Sequence, residues 1–246
     1  MKLSVIIPVY NEKRTVLTLI ERVRAVPMEK EILVVDDCST DGTGDVLRGL
    51  KLPEVRTFFH DMNRGKGAAI RTAQPHVTGD IVVIQDADLE YSPSEYPKLI
   101  QPILDGEADA VYGSRFIGDR PHRVLFFWHM VGNKLLTLVS NMFTNLNLTD
   151  METCHKAFRA SLFKQLRLTC NRFGFEPEVT ARLAQHRARI YEVGIAYHGR
   201  DYSEGKKINW KDGVAAFYFI VKANMFAGRP LTGESCRPRI GTGESR

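Results

Sequence analysis

Two carboxylates one residue apart, Asp86 and Asp88, follow directly on four uninterrupted apolar residues, Ile81 to Ile84. Such a run reads as a strand buried on both faces, as in a parallel sheet. Ligands of open α/β sheets bind at the carboxyl ends of the strands, so Asp86-Ala87-Asp88 stands where charged side chains do chemistry. Two acidic groups in one turn can hold a hard divalent cation and leave coordination positions for water and a substrate phosphate. On its own, a short Asp-x-Asp is a weak motif and reads first as a solvated acidic turn. What decides between the two is whatever the rest of the chain brings to the same sheet edge.

The elements that must position the pair read as alternating strands and helices. Residues 3–9 form a buried strand that runs into Tyr10-Asn11-Glu12, and a helical pattern with Val16, Leu19, Ile20 and Val23 follows. Residues 31–35 form a second strand, ending in Asp36-Asp37-Cys38-Ser39-Thr40-Asp41-Gly42-Thr43, a turn that opens into a helix at 43–50. A third strand over 55–59 precedes Asn63-Arg64-Gly65-Lys66-Gly67 and a helix near 67–76. After the aspartates come a helix over 93–104 and a strand near 109–113. This alternation predicts a doubly wound, mostly parallel sheet flanked by helices. Right-handed crossovers then gather Tyr10 to Glu12, Asp36-Asp37 and Asp86-Asp88 at one edge.

Composition limits the function classes. The 246 residues suffice for one full-sized domain, with 43% hydrophobic and 26% charged residues. The net charge of +5 suits an anionic substrate or membrane surface and falls short of a nucleic-acid footprint. Four cysteines, Cys38, Cys154, Cys170 and Cys236, lie far apart without zinc spacing, which predicts reduced thiols and a cytoplasmic chain. No run of eighteen apolar residues and no signal peptide are read.

Residues 124–148 are heavily apolar, with Trp128, Leu135, Leu138 and Met142 among polar interruptions such as His129 and Asn133. Two readings stand open: a helix packed on the sheet, or a helix lying in a membrane interface behind the basic residues Arg115, Arg120, His122 and Arg123. Further on, 150–155 is a polar loop before a strand at 156–158, 177–186 a helix and 189–197 an alternating strand. Residues 200–207 are polar and basic, 213–227 apolar and amphipathic, and 231–246 aperiodic, as in a disordered tail.

Ile6-Ile7-Pro8-Val9-Tyr10-Asn11-Glu12, Val35-Asp36-Asp37-Cys38-Ser39-Thr40-Asp41-Gly42-Thr43 and Asp86-Ala87-Asp88, in that order, resemble the family 2 glycosyltransferases of GT-A fold. Gly113-Ser114-Arg115, the 150–158 loop and the 200–207 segment resemble the dolichol-phosphate mannose synthase, or polyprenyl-phosphate, branch of that family. The resemblance covers roughly residues 1–210. It implies a GT-A domain over 1–212, with a nucleotide-sugar half (1–115) and an acceptor half (116–212), followed by an amphipathic segment at 213–230.

The resemblance also implies roles. Pro8, Tyr10 and Glu12 line the base and ribose pocket, Asp37 accepts from the base, and Asp36 lies nearer the ribose. Turn capping is the alternative for the latter two. Lys66 and Ala87 complete the donor site, Asp86 lies over nucleotide and sugar, and Asp88 binds Mg2+ or Mn2+. Arg115, Arg123, Arg200 and Lys206 hold the acceptor phosphate. The implied reaction moves one sugar from a GDP- or UDP-hexose to a polyprenyl phosphate with inversion, in an enzyme peripheral on the inner membrane face. A hydroxyl acceptor is the alternative and needs a carboxylate base, with Asp150, Glu152 and Glu176 as candidates. A nucleotidyltransferase and a non-catalytic binding module rank lower. The chain departs from the branch at Thr153-Cys154-His155-Lys156-Ala157-Phe158-Arg159, where Thr-Ser-Gly-Phe-Arg is common; His155 and Lys156 either touch the acceptor or support the following strand.

Overall fold

The computed structural model describes residues 1–118, 123, 126–172, 174–200 and 210–225. Strands β1 (Leu3–Val9), β2 (Lys30–Asp36), β3 (Val55–Phe59), β4 (Ile81–Ile84), β5 (Ala110–Ser114), β6 (Lys156–Arg159) and β7 (Ile190–Gly194) form a seven-stranded sheet in the order β3-β2-β1-β4-β6-β5-β7. Helices α1 (Val16–Ala25), α2 (Thr43–Arg48), α3 (Lys66–Ala73), α4 (Tyr96–Leu104), α5 (Phe127–Thr144), α6 (Ala160–Gln165), α7 (Phe175–Gln185) and α8 (Trp210–Met225) complete the described elements.

The apolar runs explain why the sheet needs helices on both faces. Val5, Ile7, Ile32, Val34, Ile81 and Val83 pack on one side, with Leu19 and Val23 of α1 and Leu99 and Ile103 of α4. Their neighbours Ile6, Leu33, Val35, Val82 and Ile84 pack on the other, with Ile70 of α3, Phe163 of α6, and Val179 and Leu183 of α7. This period of two with both faces buried is what an uninterrupted apolar strand dictates.

β6 departs from the parallel pattern and pairs antiparallel with both β4 and β5. Its register sets Ile84 opposite Lys156. The start of β6 therefore meets the end of β4, and the loop at 150–155 arrives at the same edge as Asp86 and Asp88. β5 and β7 run parallel to each other, so Arg115 and residues 195–200 emerge there as well.

α5 inverts the usual pattern of a surface helix. Its buried residues are Thr137 and Ser140, while Trp128 (78% exposed), Leu135 (58%), Leu138 (56%) and Met142 (76%) face outward. α8 packs against α5 and α7 and exposes Val214, Phe217, Tyr218 and Met225.

Candidate active site

The strand-end loops enclose a cleft of about 860 Å³. Of the residues singled out in the sequence, Pro8, Tyr10, Glu12, Asp37, Lys66, Asp86, Ala87, Asp88, Arg115 and Arg200 line it. Register explains the convergence: Val9 pairs with Asp36 and Ile6 with Ile84, so the three motifs leave their strands at one level.

Asp86 and Asp88 lie in different electrostatic surroundings. Lys66 Nζ reaches Asp86 Oδ1 at 2.7 Å and Glu176 Oε1 at 2.8 Å, all three side chains being largely buried. Burial would raise the Asp86 pKa, but the Lys66 ammonium overcomes it and holds the carboxyl below its usual range. Asp88 has the opposite balance: burial first, then the Asp86 and Glu90 carboxylates, pushes it up to about 7. Its nearby cation is Arg200, whose Nη2 lies 3.4 Å from Asp88 Oδ2 and 3.3 Å from Glu12 Oε1. Arg200 Nε stands 3.6 Å from Glu90 Oε1, and the Arg200 backbone N–H donates to that same oxygen at 2.9 Å. Leu89 adopts φ 65°, a left-handed conformation that is strained for a branched side chain, in the tight turn where the Glu90 N–H donates to Asp88 Oδ1. Glu90 lines the cleft with Asp88. Its position two residues after the Asp-x-Asp was the sequence signal for it.

The donor set fits a hard divalent cation. It consists of oxygens, and their mutual repulsion is relieved only in part by one guanidinium, so a cation near Asp88 would be stabilised. Among the described residues no group of three or more His, Cys, Asp or Glu side chains stands ready to hold a metal. A few protein oxygens completed by water and substrate phosphate is the coordination Mg2+ favours.

Asp37 does more structural work than its implied role. Its Oδ1 accepts from the Arg64 N–H (2.9 Å) and lies 2.7 Å from His60 Nδ1, while Oδ2 accepts from the Gly65 N–H at 2.6 Å. The carboxylate thus ties the loop before α3 to the end of β2. Gly65 is required there: its φ is +93°, and a Cβ would lie 2.6 Å from the Asn171 carbonyl oxygen. Asp36 is 3% exposed and does not line the cleft; its Oδ2 accepts weakly from the Ser39 N–H at 3.4 Å. That contact is of the turn-capping kind weighed as the alternative for Asp36, while its buried Oδ1 has no hydrogen-bond partner.

Of the basic candidates, Arg115 lines the cleft with its guanidinium clamped by Asp150: Nε donates to Oδ2 and Nη2 to Oδ1, both at 2.7 Å. It also lies over the Tyr197 ring, 5.3 Å from the centroid. Arg123 is exposed at the rim, where its Nη1 donates to the Gly199 carbonyl at 3.1 Å. Lys206, with Arg120 and His122, lies outside the described residues. Lys156 is fully buried and supports the 150–155 loop from below, donating to the carbonyls of Met151 (2.9 Å) and Thr153. His155 is buried edge-on to Tyr91 and Tyr96, and burial lowers its pKa to about 4. Neither of the two lines the cleft.

The hydroxyl-transfer candidates separate in the same way. Asp150 is committed to Arg115 and does not line the cleft; Glu176 lines it but is paired with Lys66, and Glu152 lines it with its Oε1 buried and without a hydrogen-bond partner. The opposite wall comes from α5 and α8, through Trp128, His129, Asn133 and Leu136 and through Gly213 and Ala216. Sequence reading assigned these helices to packing or membrane contact and missed their place in the cleft; their polar interruptions, His129 and Asn133, were the available signal.

The chain is 30% identical over 224 residues to the undecaprenyl-phosphate mannosyltransferase of Micrococcus luteus, covering 84% of this chain and 87% of that protein. It is 26% identical to the UDP-N-acetylglucosamine–dolichyl-phosphate N-acetylglucosaminyltransferase of Methanococcus voltae, covering 89% and 95%. The crystal structure of glucosyl-3-phosphoglycerate synthase from Mycobacterium tuberculosis, in complex with Mn2+, UDP and glucosyl-3-phosphoglycerate, superposes with a TM-score of 0.69 at 20% identity, over 91% of this chain and 80% of that one. That likeness shows the expected GT-A-like fold. The family model of glycosyl transferase family 2 matches residues 4–167, and the chain belongs to that family.

Proposed function

We propose that this glycosyltransferase moves a single hexose from a nucleotide-sugar to a polyprenyl phosphate, with inversion at the anomeric carbon, as a peripheral protein at the cytoplasmic membrane face. The observation that carries the reading is the composition of the cleft. One wall holds Asp86, Asp88 and Lys66 on strand-end loops, and the other is formed by two helices whose outer faces are apolar and exposed. A donor with a charged diphosphate suits the first wall, and an acceptor with an anionic head on an apolar chain suits the second. Relatives covering most of this chain act on undecaprenyl and dolichyl phosphates.

In this reading Pro8, Tyr10 and Glu12 receive the nucleoside, with the loop that Asp37 anchors beside them. Asp86 and Asp88 would hold a divalent cation, which would supply positive charge against the diphosphate of the leaving group. Arg115, Arg123 and Arg200 position the lipid phosphate. One of its oxygens bonds to the anomeric carbon from the face opposite the leaving group, as the bond to the nucleoside diphosphate breaks. The lipid phosphate is already anionic at neutral pH, so the step depends on alignment and charge placement rather than on a strong base. Arg200, now held by Glu12, Asp88 and Glu90, is the group best placed to change partners when a cation and a diphosphate arrive. Trp128, Leu135, Leu138 and Met142 rest in the membrane interface, an arrangement suited to aromatic and aliphatic side chains beside basic ones.

A radiolabelled transfer assay with GDP- and UDP-sugars, Mg2+ or Mn2+ and polyprenyl phosphate tests the proposal. Label should enter an organic-soluble, mild-acid-labile product, and Asp88→Ala should abolish the metal-dependent rate. No lipid-linked label with any donor would refute it. Activity on a hydroxyl acceptor that survives Arg115→Ala and Arg200→Ala would establish the alternative.

A further inference from the structure

The cleft contains two polar atoms that the reaction above leaves unused. Glu152 Oε1 and the side-chain oxygen of Asn133 are both buried without a hydrogen-bond partner, and both residues line the cleft. Leaving such an atom unsatisfied costs about 1–3 kcal/mol. Folded proteins hold few of them, and two in one cavity mark a place where a ligand completes the bonding.

The fold brings the two together. The Met151 N–H donates to Thr137 Oγ1 at 3.1 Å, which pins the 150–155 loop to α5. Asn133 stands one helical turn before Thr137 on the same face of α5, and Glu152 follows Met151 in the chain. From below, Lys156 bonds the carbonyls of Met151 and Thr153, on either side of Glu152, so the loop that presents this carboxyl is fixed at both ends.

The chemistry of the surroundings selects the ligand. Of the cations near Glu152, Arg115 is paired with Asp150 and Lys66 with Asp86 and Glu176, while Lys156 lies beneath the loop on the two carbonyls and does not line the cleft. Burial first, then the Glu176 carboxylate, pushes the Glu152 carboxyl up to about 8 against the opposing pull of Lys156 and Arg115. An anionic group entering here would meet carboxyls, with the cations that line the cleft beside them already paired. A neutral polyol would instead donate its hydroxyl protons to Glu152 and to the Asn133 oxygen, and accept from the Asn133 amide. Cys154 and Glu176 connect this part of the cleft to Asp86, whose place is at the donor diphosphate: Cys154 Sγ donates to Glu176 Oε1 at 3.6 Å, and Lys66 joins Glu176 to Asp86.

We infer that Glu152 and Asn133 form the subsite for the transferred sugar, binding its hydroxyls and selecting a neutral hexose over a uronate. The inference rests on the proposed function only in taking a nucleotide-sugar as donor.

Calorimetric titration tests it without turnover. The full chain with Mn2+ is titrated with GDP-mannose, UDP-glucose, UDP-N-acetylglucosamine and UDP-glucuronate, and with GDP and UDP alone. For the wild type, one neutral-hexose donor should bind more tightly than its nucleoside diphosphate, and UDP-glucuronate should not bind more tightly than UDP. Glu152→Ala and Asn133→Ala should each reduce that sugar-dependent gain by roughly tenfold, the loss of one or two hydrogen bonds, with nucleoside diphosphate affinity unchanged. Glu152→Gln, nearly isosteric, keeps the test valid if the alanine variant fails to fold, and should change the ranking of donors. An unchanged gain and ranking in Glu152→Gln and Asn133→Ala would overturn the inference. So would an equal loss of affinity for donor and nucleoside diphosphate, or unchanged binding with turnover lost for every donor, which would make Glu152 a base for a hydroxyl acceptor. If no nucleotide-sugar binds while GDP or UDP does, the sugar subsite is refuted; if neither class binds, the proposed function itself fails.

Discussion

Arg115→Ala separates the structural from the catalytic use of one ion pair. Asp150 is fully buried and accepts three hydrogen bonds from Arg115, two from the guanidinium and one from its backbone N–H at 3.0 Å. The substitution keeps the backbone bond and removes both charged ones, leaving a carboxylate in the interior without its counter-ion. Breaking a buried pair in this way costs about 3–5 kcal/mol, a large part of the roughly 5–15 kcal/mol that holds a domain together. At about 2–4 °C per kcal/mol for a chain of this size, the melting temperature should fall by roughly 10 °C. Arg115→Ala combined with Asp150→Asn removes the stranded charge and should recover more than half of that loss. The double variant then reports on chemistry: it should bind nucleoside diphosphate normally and transfer sugar to lipid phosphate at least tenfold more slowly, one lost charge-assisted contact. Thermal melts, titration with nucleotide and the lipid-transfer assay give the three readouts. A single variant that melts within 2 °C of the wild type, with 2 °C taken as about 1 kcal/mol, would refute the buried-pair argument. A stable double variant with full transfer rate would remove Arg115 from the acceptor site.

Other expectations follow from individual contacts. Gly65→Ala meets both a positive φ and the Asn171 carbonyl, and should cost more than about 2 kcal/mol in urea unfolding. Gly132→Ala, in α5 with open space around its Cβ, should instead stabilise by about 0.5–1 kcal/mol. His155, buried and with its pKa lowered from 6.5 to about 4, stays neutral in the fold while the unfolded chain protonates. The unfolded state binds the extra proton between those values, so stability falls as pH drops from about 6.5 to 4, and His155→Phe should flatten that part of the pH–stability curve. Trp128→Glu and Met142→Glu, both on exposed positions, should leave the melting temperature within about 1 °C and weaken sedimentation with anionic vesicles.

The α/β fold and the strand-end side of the cleft were legible because their signals are local. Ile81 to Ile84 is apolar at every position, which only a strand covered on both faces tolerates, and its carboxyl end places Asp86 and Asp88 without further information. The same holds for Tyr10 to Glu12 and for Asp36-Asp37, although the division of labour between those two aspartates was not legible. Both sit in the same turn, and the backbone amides of Arg64 and Gly65 that claim Asp37 belong to a loop 27 and 28 residues away.

What the amino-acid sequence determined by itself was the doubly wound pattern, the Asp86 and Asp88 carboxylate pair and the edge at which they meet, because periodicity and strand ends act over a few residues. The tertiary structure alone decided the rest. The antiparallel insertion of β6 carries the 150–155 loop to Asp86, and so places Glu152 in the cleft and Asp150 against Arg115. No spacing in the chain encodes which direction a four-residue strand runs between two neighbours. α5 buries its small polar residues Thr137 and Ser140 and turns Trp128, Leu135, Leu138 and Met142 outward, a choice made by the partners across the interface rather than by its own composition. Asp86 and Asp88 likewise have near-identical local sequence. They differ because Lys66, from a distant element, neutralises one, while the other is left among carboxylates with Arg200 as its shared cation.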